Sequence, residues 1–283
     1  MNKKMAFPAM CFVLIFGSAL CSLYPKRASA TSSVGGKTLI LYEAVSGAIP
    51  AAPLMNYTDF PPGAASPTYI DGMAVLDTTT SGDNTYAGWI SNGTTTPGFP
   101  ILNRTAGFQL DFALQVDGES HANSNRAGFS IIVLSDDARG IELAFWENEI
   151  WAQNDDTTGG LFKHGEGAIF ATTTGLINYQ VIVVNDTYTL TANTEPVLTG
   201  PLRNYSTFEG FPHPYETPNL LFLGDDTTSA QARIRLDFVS VTGTERPTLT
   251  TSASSNTAKS PSVTITPGSS PTPAIENFVS CER

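Results

Sequence analysis

Trp146 and Trp151 are the residues of this chain whose type and spacing most favour recognition chemistry. Both lie in the segment GIELAFWENEIWAQND, with Glu142 upstream and Gln153 downstream. An indole offers a flat apolar surface to the CH face of a sugar ring, and carboxyl and amide groups can hydrogen-bond to the sugar hydroxyls. If the four side chains share one sheet face, they predict a carbohydrate-binding platform. The alternative is that the indoles pack beneath a loop.

A proline-rich loop gives one further candidate binding residue. The segment FPHPYETP at residues 211–218 is stiff, and Tyr215 within it could close over such a platform. Rigid loops on β-sandwiches often carry functional residues, although proline also simply fixes turns. We therefore add Tyr215 to the predicted ligand-binding residues.

Two aspartates are the favoured candidates for metal binding. Asp225 and Asp226 follow a predicted strand that ends at Gly224, and their carboxylate oxygens suit Ca²⁺, a hard cation. Paired loop acids are commoner than calcium sites, so a solvated acidic loop is the alternative. The histidines of the chain show no ligand spacing, which argues against zinc.

No acidic pair has the arrangement that glycan hydrolysis requires. In retaining glycosidases the nucleophile and the general acid lie about 5 to 5.5 Å apart on one face. Glu147 and Glu149 come nearest, but a predicted turn at residues 148–149 puts Glu149 at the tip of a hairpin. We therefore expect a protein that is not an enzyme, with a glycan-cleaving hydrolase or lyase as an alternative.

Alternating apolar and polar residues predict the strands that must position these side chains. From Phe108 to Val116, apolar residues at even positions alternate with mostly polar residues at odd positions, beginning with Gln109. This period of two is typical of a strand with one buried face and one solvated face. The predicted core comprises the even-numbered residues of this strand together with Leu143, Phe145, Val181, Val183, Tyr188 and Leu190.

Two hairpins follow from the same alternation. Residues 141–145 and 150–152 are predicted to pair across a two-residue turn, which sets Trp146 opposite Trp151 and places all four platform candidates on one sheet face. Residues 179–183 and 188–190 are predicted to pair across a turn at residues 185–186, where Asn and Asp both tolerate positive φ. The sequence therefore predicts an all-β fold of antiparallel strands.

The first thirty residues predict a secretory signal peptide. A basic start at residues 2–4 precedes a mostly apolar stretch and the small residues Ala28 and Ala30, which suit signal-peptidase cleavage. A lipoprotein signal at Cys21 is an alternative, although Leu20 before it is larger than usual. We expect the protein to be secreted or held at the cell surface, with no membrane insertion after signal removal.

Charge and cysteine content limit the partners and the redox chemistry. Without residues 1–30 the chain has 11 basic against 26 acidic residues, a net charge of −15, which repels nucleic acid and anionic lipid. Cys281 is then the only cysteine, so no internal disulfide can form and apolar burial must hold the core. Nucleic acid is not an expected partner.

The composition changes after residue 244. Of the 39 residues at 245–283, 20 are Ser, Thr or Pro, a composition that cannot bury a core and is typical of an extended linker. We therefore predict three parts: a signal peptide at residues 1–30, a sandwich at residues 31–244 and a disordered tail at residues 245–283. Cys281 could serve in anchoring, or it could be incidental.

The segments AGFSIIVL at residues 127–134, GIELAFWENEIWA at residues 140–152 and the closing strand at residues 233–241 resemble concanavalin A-like (laminin-G, lectin and glucanase) jelly rolls. More narrowly, the chain resembles uncharacterised bacterial surface domains that precede variable C-terminal anchors. The resemblance covers residues 36–243. It implies two antiparallel sheets of six or seven strands each, with the first and last strands adjacent, and a possible glycan or protein ligand.

The sequence favours an exported, non-catalytic jelly-roll sandwich that binds carbohydrate or another extracellular ligand. A purely structural or adhesive surface domain is the first alternative. The predicted ligand-binding residues are Glu142, Trp146, Trp151, Gln153 and Tyr215, and the possible calcium ligands are Asp225 and Asp226.

Overall fold

The computed structural model describes residues 34–81, 85–156, 160–208 and 213–246, apart from the side chains of residues 155–156, 160–162 and 213. The predicted signal peptide, the Ser/Thr/Pro-rich tail with Cys281 and the first part of the proline-rich loop lie outside the described residues, so they stay predictions. Among the described residues, no helix has the length and apolarity needed to cross a membrane.

The described part of the chain forms two antiparallel sheets of eight strands each. The strands of sheet A are β1 (Lys37–Glu43), β3 (Thr68–Ile70), β4 (Met73–Asp77), β6 (Phe108–His121), β11 (Ile177–Val184), β12 (Thr187–Ala192), β13 (Glu195–Pro201) and β16 (Ala230–Gly243). Their order is β13-β12-β11-β6-β16-β4-β3, and β1 also pairs with β16. The first and last strands are therefore adjacent, as predicted.

The strands of sheet B are β2 (Asn56–Phe60), β5 (Tyr86–Asn92), β7 (Ser130–Leu134), β8 (Arg139–Phe145), β9 (Glu149–Asp156), β10 (Gly160–Ile169), β14 (Arg203–Asn204) and β15 (Leu220–Asp225). Their order is β10-β9-β8-β7-β15-β5-β2, and β14 pairs with β8. Short 3₁₀ turns occur at Ala44–Ser46 and His213–Glu216. The architecture is an all-β sandwich of two antiparallel sheets, as the sequence predicts.

The core lies between the two sheets, and its predicted members are confirmed. Every residue of the predicted set is at most 1% exposed and belongs to one continuous apolar cluster. Phe112 of sheet A meets Phe145 of sheet B edge to face, with ring centroids 6.1 Å apart. Gln109 departs from the prediction of a solvated face, because it is only 2% exposed and its amide donates to Asp111 at 2.8 and 2.9 Å.

The β8–β9 hairpin forms, but its predicted register is wrong. Phe145 pairs with Ile150 and Ala144 pairs with Trp151, so Trp146 lies in the turn rather than opposite Trp151. Thr172 holds this wider turn through a 2.7 Å hydrogen bond from its hydroxyl to the Trp146 carbonyl. Because the register differs by two residues, each side chain stays on its predicted sheet face.

The β11–β12 hairpin confirms its prediction. Val183 pairs with Tyr188 and Val184 pairs with Thr187, and Asn185 in the turn has φ of 56°. Asn tolerates this left-handed conformation better than most residues, which is why the sequence signal at this turn is specific.

Candidate functional site

The outer face of sheet B, which points away from the core, has an apolar end. Its strand residues form a second buried cluster with Tyr205 and Tyr215, and half-buried Phe208 packs on this cluster. The Tyr205 and Tyr215 rings stack with centroids 5.0 Å apart. We call this region the covered half, and its strand residues are Ile132, Leu134, Leu220 and Phe222.

The other end of the same face is polar and contains a cavity of about 160 Å³. We call this region the cavity half. Strands β8 and β9 contribute Glu142, Trp151 and Gln153 to the cavity wall, and Asp226 enters directly after β15. The loop between β6 and β7 contributes Asn125 and Arg126. The structure thus brings together four residues that the sequence predicted at two separate sites.

Tyr215 links the two halves. Its ring is fully buried in the covered half, whereas its hydroxyl contacts the Glu142 carboxyl group and lies 3.0 Å from Asp226 Oδ2. The Gln153 amide nitrogen is 3.4 Å from the same hydroxyl, and the Gln153 carbonyl oxygen accepts from Tyr205 at 3.2 Å. Tyr215 therefore lies over the outer face of sheet B with its ring buried, and its predicted contact with a ligand stays a prediction.

Hydrogen-bond counting shows that Glu142 and Asp226 share a proton. The Tyr215 phenol has one proton and can donate to only one of the two carboxyl groups, so the other must be protonated and donate to the phenol oxygen. Asp226 also accepts from Ser130 Oγ at 2.9 Å, but burial raises the pKa of Asp226 as well. Burial, and then the nearby Asp226 charge, raises the pKa of Glu142 well above its usual value. Glu142 is therefore the protonated member of the pair.

The two tryptophans do not form the open platform that the sequence predicts. Trp151 is only 2% exposed and stacks on His164, with ring centroids 4.6 Å apart. Trp146 is half-buried, and His121 stacks on its ring at 4.1 Å. Both indoles therefore already have ring partners, which is the alternative that the sequence analysis left open. Trp151 instead contributes an indole Nε1 that is buried and has no hydrogen-bond partner among the described residues.

The loop between β6 and β7 is held in place by neighbours of the cavity. Trp146 Nε1 donates to the Arg126 carbonyl at 2.7 Å, and the Asn125 side-chain oxygen accepts from the His164 backbone N–H at 2.9 Å. Asn125, Arg126 and His164 are not among the residues predicted from the sequence. In sequence, the loop is typical of an ordinary polar turn, and His164 shows only the absence of metal-ligand spacing.

Asp225 and Asp226 do not fit the predicted calcium site, because their carboxyl groups have separate partners. Asp225 is fully buried, and it accepts from Thr78 Oγ1 at 2.7 Å and from the Thr227 N–H at 3.1 Å. Burial also raises the pKa of Asp225 well above its usual value. Ca²⁺ takes six to eight oxygen ligands, and within the described ranges no group of three or more His, Cys, Asp or Glu side chains could hold a metal ion.

Glu147 and Glu149 each have partners outside any common site. Glu147 Oε1 accepts from the Glu119 N–H at 3.2 Å, and Glu149 Oε1 contacts His164 Nε2 at 3.0 Å. The acidic side chains that do converge are Glu142 of β8 and Asp226, which follows β15, and they are too far apart in the chain to give a local sequence signal. Tyr215 occupies the space between them, where a substrate oxygen would have to lie in a glycosidase.

No protein family model matches this chain, and no curated protein matches it. Among solved structures it is similar to alginate lyase A1-II', a member of polysaccharide lyase family 7, at 16% identity and a TM-score of 0.41, covering 66% of this chain and 86% of that one. It is also similar to the VIP36 exoplasmic/lumenal domain in its Ca²⁺/Man-bound form, at 10% identity and a TM-score of 0.42, covering 75% and 91% of the two chains.

A third similar structure is the binding domain of botulinum neurotoxin DC in complex with rat synaptotagmin II. The identity is 10% and the TM-score 0.40, and the match covers 68% of this chain and 44% of that one. Enzymes and binding domains both occur among these structures. Fold likeness at this level therefore assigns neither kind of activity to this chain.

Proposed function

We propose that this protein is an exported, non-catalytic β-sandwich that binds carbohydrate in the cavity half of sheet B. The observation that carries the proposal is the Trp151 indole N–H, which is buried in the cavity wall without a partner among the described residues. A buried donor without an acceptor costs about 1–3 kcal/mol, so a shift of the indole that let it donate to a ligand in the cavity would recover this cost. Sugar hydroxyl and ring oxygens are such acceptors.

The remaining groups in the cavity suit hydroxyls. Gln153, Asn125 and protonated Glu142 each combine a donor with an acceptor, and Asp226 adds an acceptor. A sugar hydroxyl likewise donates and accepts, so it can pair with any of these groups. The mixture of polar groups beside the apolar indole is the usual lining of a small-molecule site.

The size of the cavity favours a single ring. A cavity of roughly 150 Å³ admits a six-membered ring such as benzene, and this one measures about 160 Å³. It can therefore take part of one pyranose and cannot take an extended oligosaccharide. We expect recognition of a terminal or unsubstituted sugar ring rather than stacking along a glycan chain.

A purely structural surface domain is the second candidate, and the covered half favours it. There Tyr205 and Tyr215 bury the apolar strand residues. Aromatic side chains that only complete a core have the same arrangement. The two candidates differ in what they predict for Trp151, since a structural domain needs no ligand for its N–H.

The test compares two buried tryptophans in the full-length protein. Trp151→Phe removes the N–H donor but keeps a ring, and Trp89→Phe is the matched control because Trp89 Nε1 is also buried without a partner in the described ranges but does not line the cavity. A glycan array first identifies a sugar, and calorimetry then measures its affinity. We expect Trp151→Phe to weaken binding about 3- to 10-fold, corresponding to about 0.5–1.5 kcal/mol for one hydrogen bond. The control should bind as the parent does. Equal effects, or no sugar bound by the parent protein, would leave the structural domain as the better account.

A further inference from the structure

The His164 ring lies over the face of Trp151, which forms part of the cavity wall. The two rings stack with centroids 4.6 Å apart and an interplanar angle of 18°. Gly167 pairs with Trp151 across β9 and β10, and a Cβ atom there would clash with Glu149 Oε1 and lie 3.1 Å from His164 Cε1. A glycine at this position therefore leaves the space in which the imidazole and the carboxylate meet beside the indole.

Both ring nitrogens of His164 face an oxygen that accepts hydrogen bonds. Nδ1 lies 3.0 Å from the Gly165 carbonyl oxygen, and Nε2 lies 3.0 Å from Glu149 Oε1. A neutral imidazole has one N–H and can donate to only one of these oxygens, whereas the imidazolium donates to both. A positively charged ring is also attracted to the face of an indole. Protonation of His164 therefore stabilises the stack on Trp151 in the position that the structure shows.

We propose that protonated His164 holds Trp151 in this resting position and that loss of the proton releases it, so that the affinity for sugar rises with pH. The inference rests on the proposed carbohydrate site. In the resting position the Trp151 N–H has no partner among the described residues, so the indole must shift before it can donate to a ligand. Because the shift disturbs the stack on His164, it costs less when His164 is neutral.

His121 stacks on the other tryptophan of the hairpin and provides a matched control. Its ring centroid lies 4.1 Å from that of Trp146, which does not line the cavity. Its Nδ1 contacts the two oxygens of the Glu119 carboxyl group at 2.9 and 3.1 Å. One N–H accounts for these contacts, so within the described residues the neutral form of His121 keeps every hydrogen bond of its ring.

Other titratable groups lie near the stack. Glu142 and Asp226 in the cavity wall can also change charge with pH. The remaining charged or titratable side chains on neighbouring elements are Glu119 and His121 on β6, Arg126 in the β6–β7 loop, Glu147 in the β8–β9 turn, Lys163 and Glu166 on β10, and Arg203 on β14. Histidine is the side chain that ordinarily changes charge between pH 5 and 8. Variants of the two histidines therefore assign the pH dependence to one residue.

The first experiment measures the affinity of the full-length protein for the methyl pyranosides of glucose, galactose and mannose by calorimetry between pH 5 and 7.5. We expect the affinity for the best ligand to rise about 3- to 10-fold over this range, the effect of one hydrogen bond or one cation–π contact. His164→Gln should lose this dependence, and His121→Gln should keep it. An affinity that is constant or falls with pH in the parent, or that still rises in His164→Gln, would overturn the inference.

A second measurement requires no sugar and follows the Trp151 indole N–H resonance by NMR from pH 5 to 7.5 in the parent and in Glu149→Gln. The substitution removes the negative charge beside Nε2 and makes protonation of His164 less favourable, so the midpoint of the Trp151 shift should move to lower pH. A Trp151 resonance that does not respond to pH, or an equal midpoint in both proteins, would overturn the role of His164. A pH-dependent Trp151 signal without binding of any pyranoside would overturn the carbohydrate site, and with it the effect on affinity, but not the proton-dependent contact between His164 and Trp151.

Discussion

The covered half and the cavity half lie on the same face of the same strands, yet one is sealed and the other is open. Where Leu134 pairs with Leu220 and Ile132 pairs with Phe222, the face is apolar. Two residues further along, Ser130 pairs with Gly224, so the residues on this part of the face are small and no longer apolar. A loop of aromatic side chains can bury the first region, because apolar surface gains from burial. Covering the second region with the same side chains would be unfavourable, because its buried polar groups would need hydrogen-bond partners.

Tyr215 marks the boundary between the two halves. Its ring stacks on Tyr205 and completes the apolar cover, whereas its hydroxyl enters the polar cluster of Glu142 and Asp226. We therefore expect the loop to be required for stability and, under the proposed function, the cavity to be required for binding. Substitutions on the two sides of Tyr215 should therefore separate these properties.

The largest effect is expected in the covered half. Phe222→Ala removes a ring that is 4% exposed, and it should lower the free energy of unfolding by about 3–5 kcal/mol. Urea unfolding measures this change. Affinity for sugar in the fraction that stays folded should be unaltered, because Phe222 does not line the cavity. Ile169→Ala is the control, since Ile169 is 94% exposed and its truncation should cost little. Loss of sugar binding at full folding in Phe222→Ala would show that the two halves are not independent.

A smaller effect is expected at the boundary. Tyr215→Phe keeps the stacked ring and removes the hydroxyl that joins the carboxyl groups, so we expect a loss of about 1–3 kcal/mol in unfolding free energy. Tyr179→Phe is the matched control, because the Tyr179 hydroxyl is buried without a partner among the described residues. Its removal should be neutral or stabilising. The prediction fails if the two variants unfold at the same denaturant concentration.

The shared proton makes stability depend on pH in a direction that can be measured. The pKa of Glu142 is raised in the folded protein above its ordinary value of 4.5, so folding favours the protonated form. This contribution is fully present below pH 4.5 and is lost as the pH rises toward the raised pKa. The unfolding free energy of the parent should therefore fall relative to that of Glu142→Gln between pH 4.5 and 8. A difference that is constant over this range would show that Glu142 does not titrate with folding.

The smallest effect on stability, but a clear effect on binding, is expected for Trp146. Trp146→Phe keeps an aromatic ring beside His121 and removes the hydrogen bond to the Arg126 carbonyl. The β6–β7 loop then loses one of its attachments, and we expect sugar binding to weaken about 3-fold through about 0.5–1 kcal/mol. Calorimetry checks the affinity, and urea unfolding checks that stability is nearly unchanged. A large loss of stability with unaltered affinity would assign Trp146 to packing alone.

The sequence predicts the sheet faces well because face depends only on a period of two. The alternation from Phe108 to Val116 suffices to identify the buried side, and Glu142, Trp151 and Gln153 share a face even though the hairpin register is two residues off. The alternation within the hairpin is therefore enough to predict that these three side chains lie on the same side of the sheet.

Burial on the outer face could not be predicted, because it depends on contacts between distant segments. Tyr215 reaches Glu142 across 73 residues of sequence, and Ser130 reaches Asp226 across 96. The cover over the apolar end arises in this way, whereas the ring partner on Trp151 comes from the neighbouring strand β10. An alternating pattern does not encode which segment packs on a face, so the open tryptophan platform was wrong. Glu142 and Gln153 do share its sheet face, and their predicted ligand contacts stay predictions.

The most direct test is an NMR titration of the three tryptophan indole N–H resonances with the sugar that binds best. Each resonance is assigned by the corresponding Trp→Phe variant. The account predicts that the Trp151 signal shifts and saturates with the ligand, while the Trp89 signal in the core does not move. The Trp146 signal should change only slightly, because its N–H already donates to Arg126. A saturating titration in which the Trp151 resonance stays fixed would contradict the placement of the binding site in the cavity half.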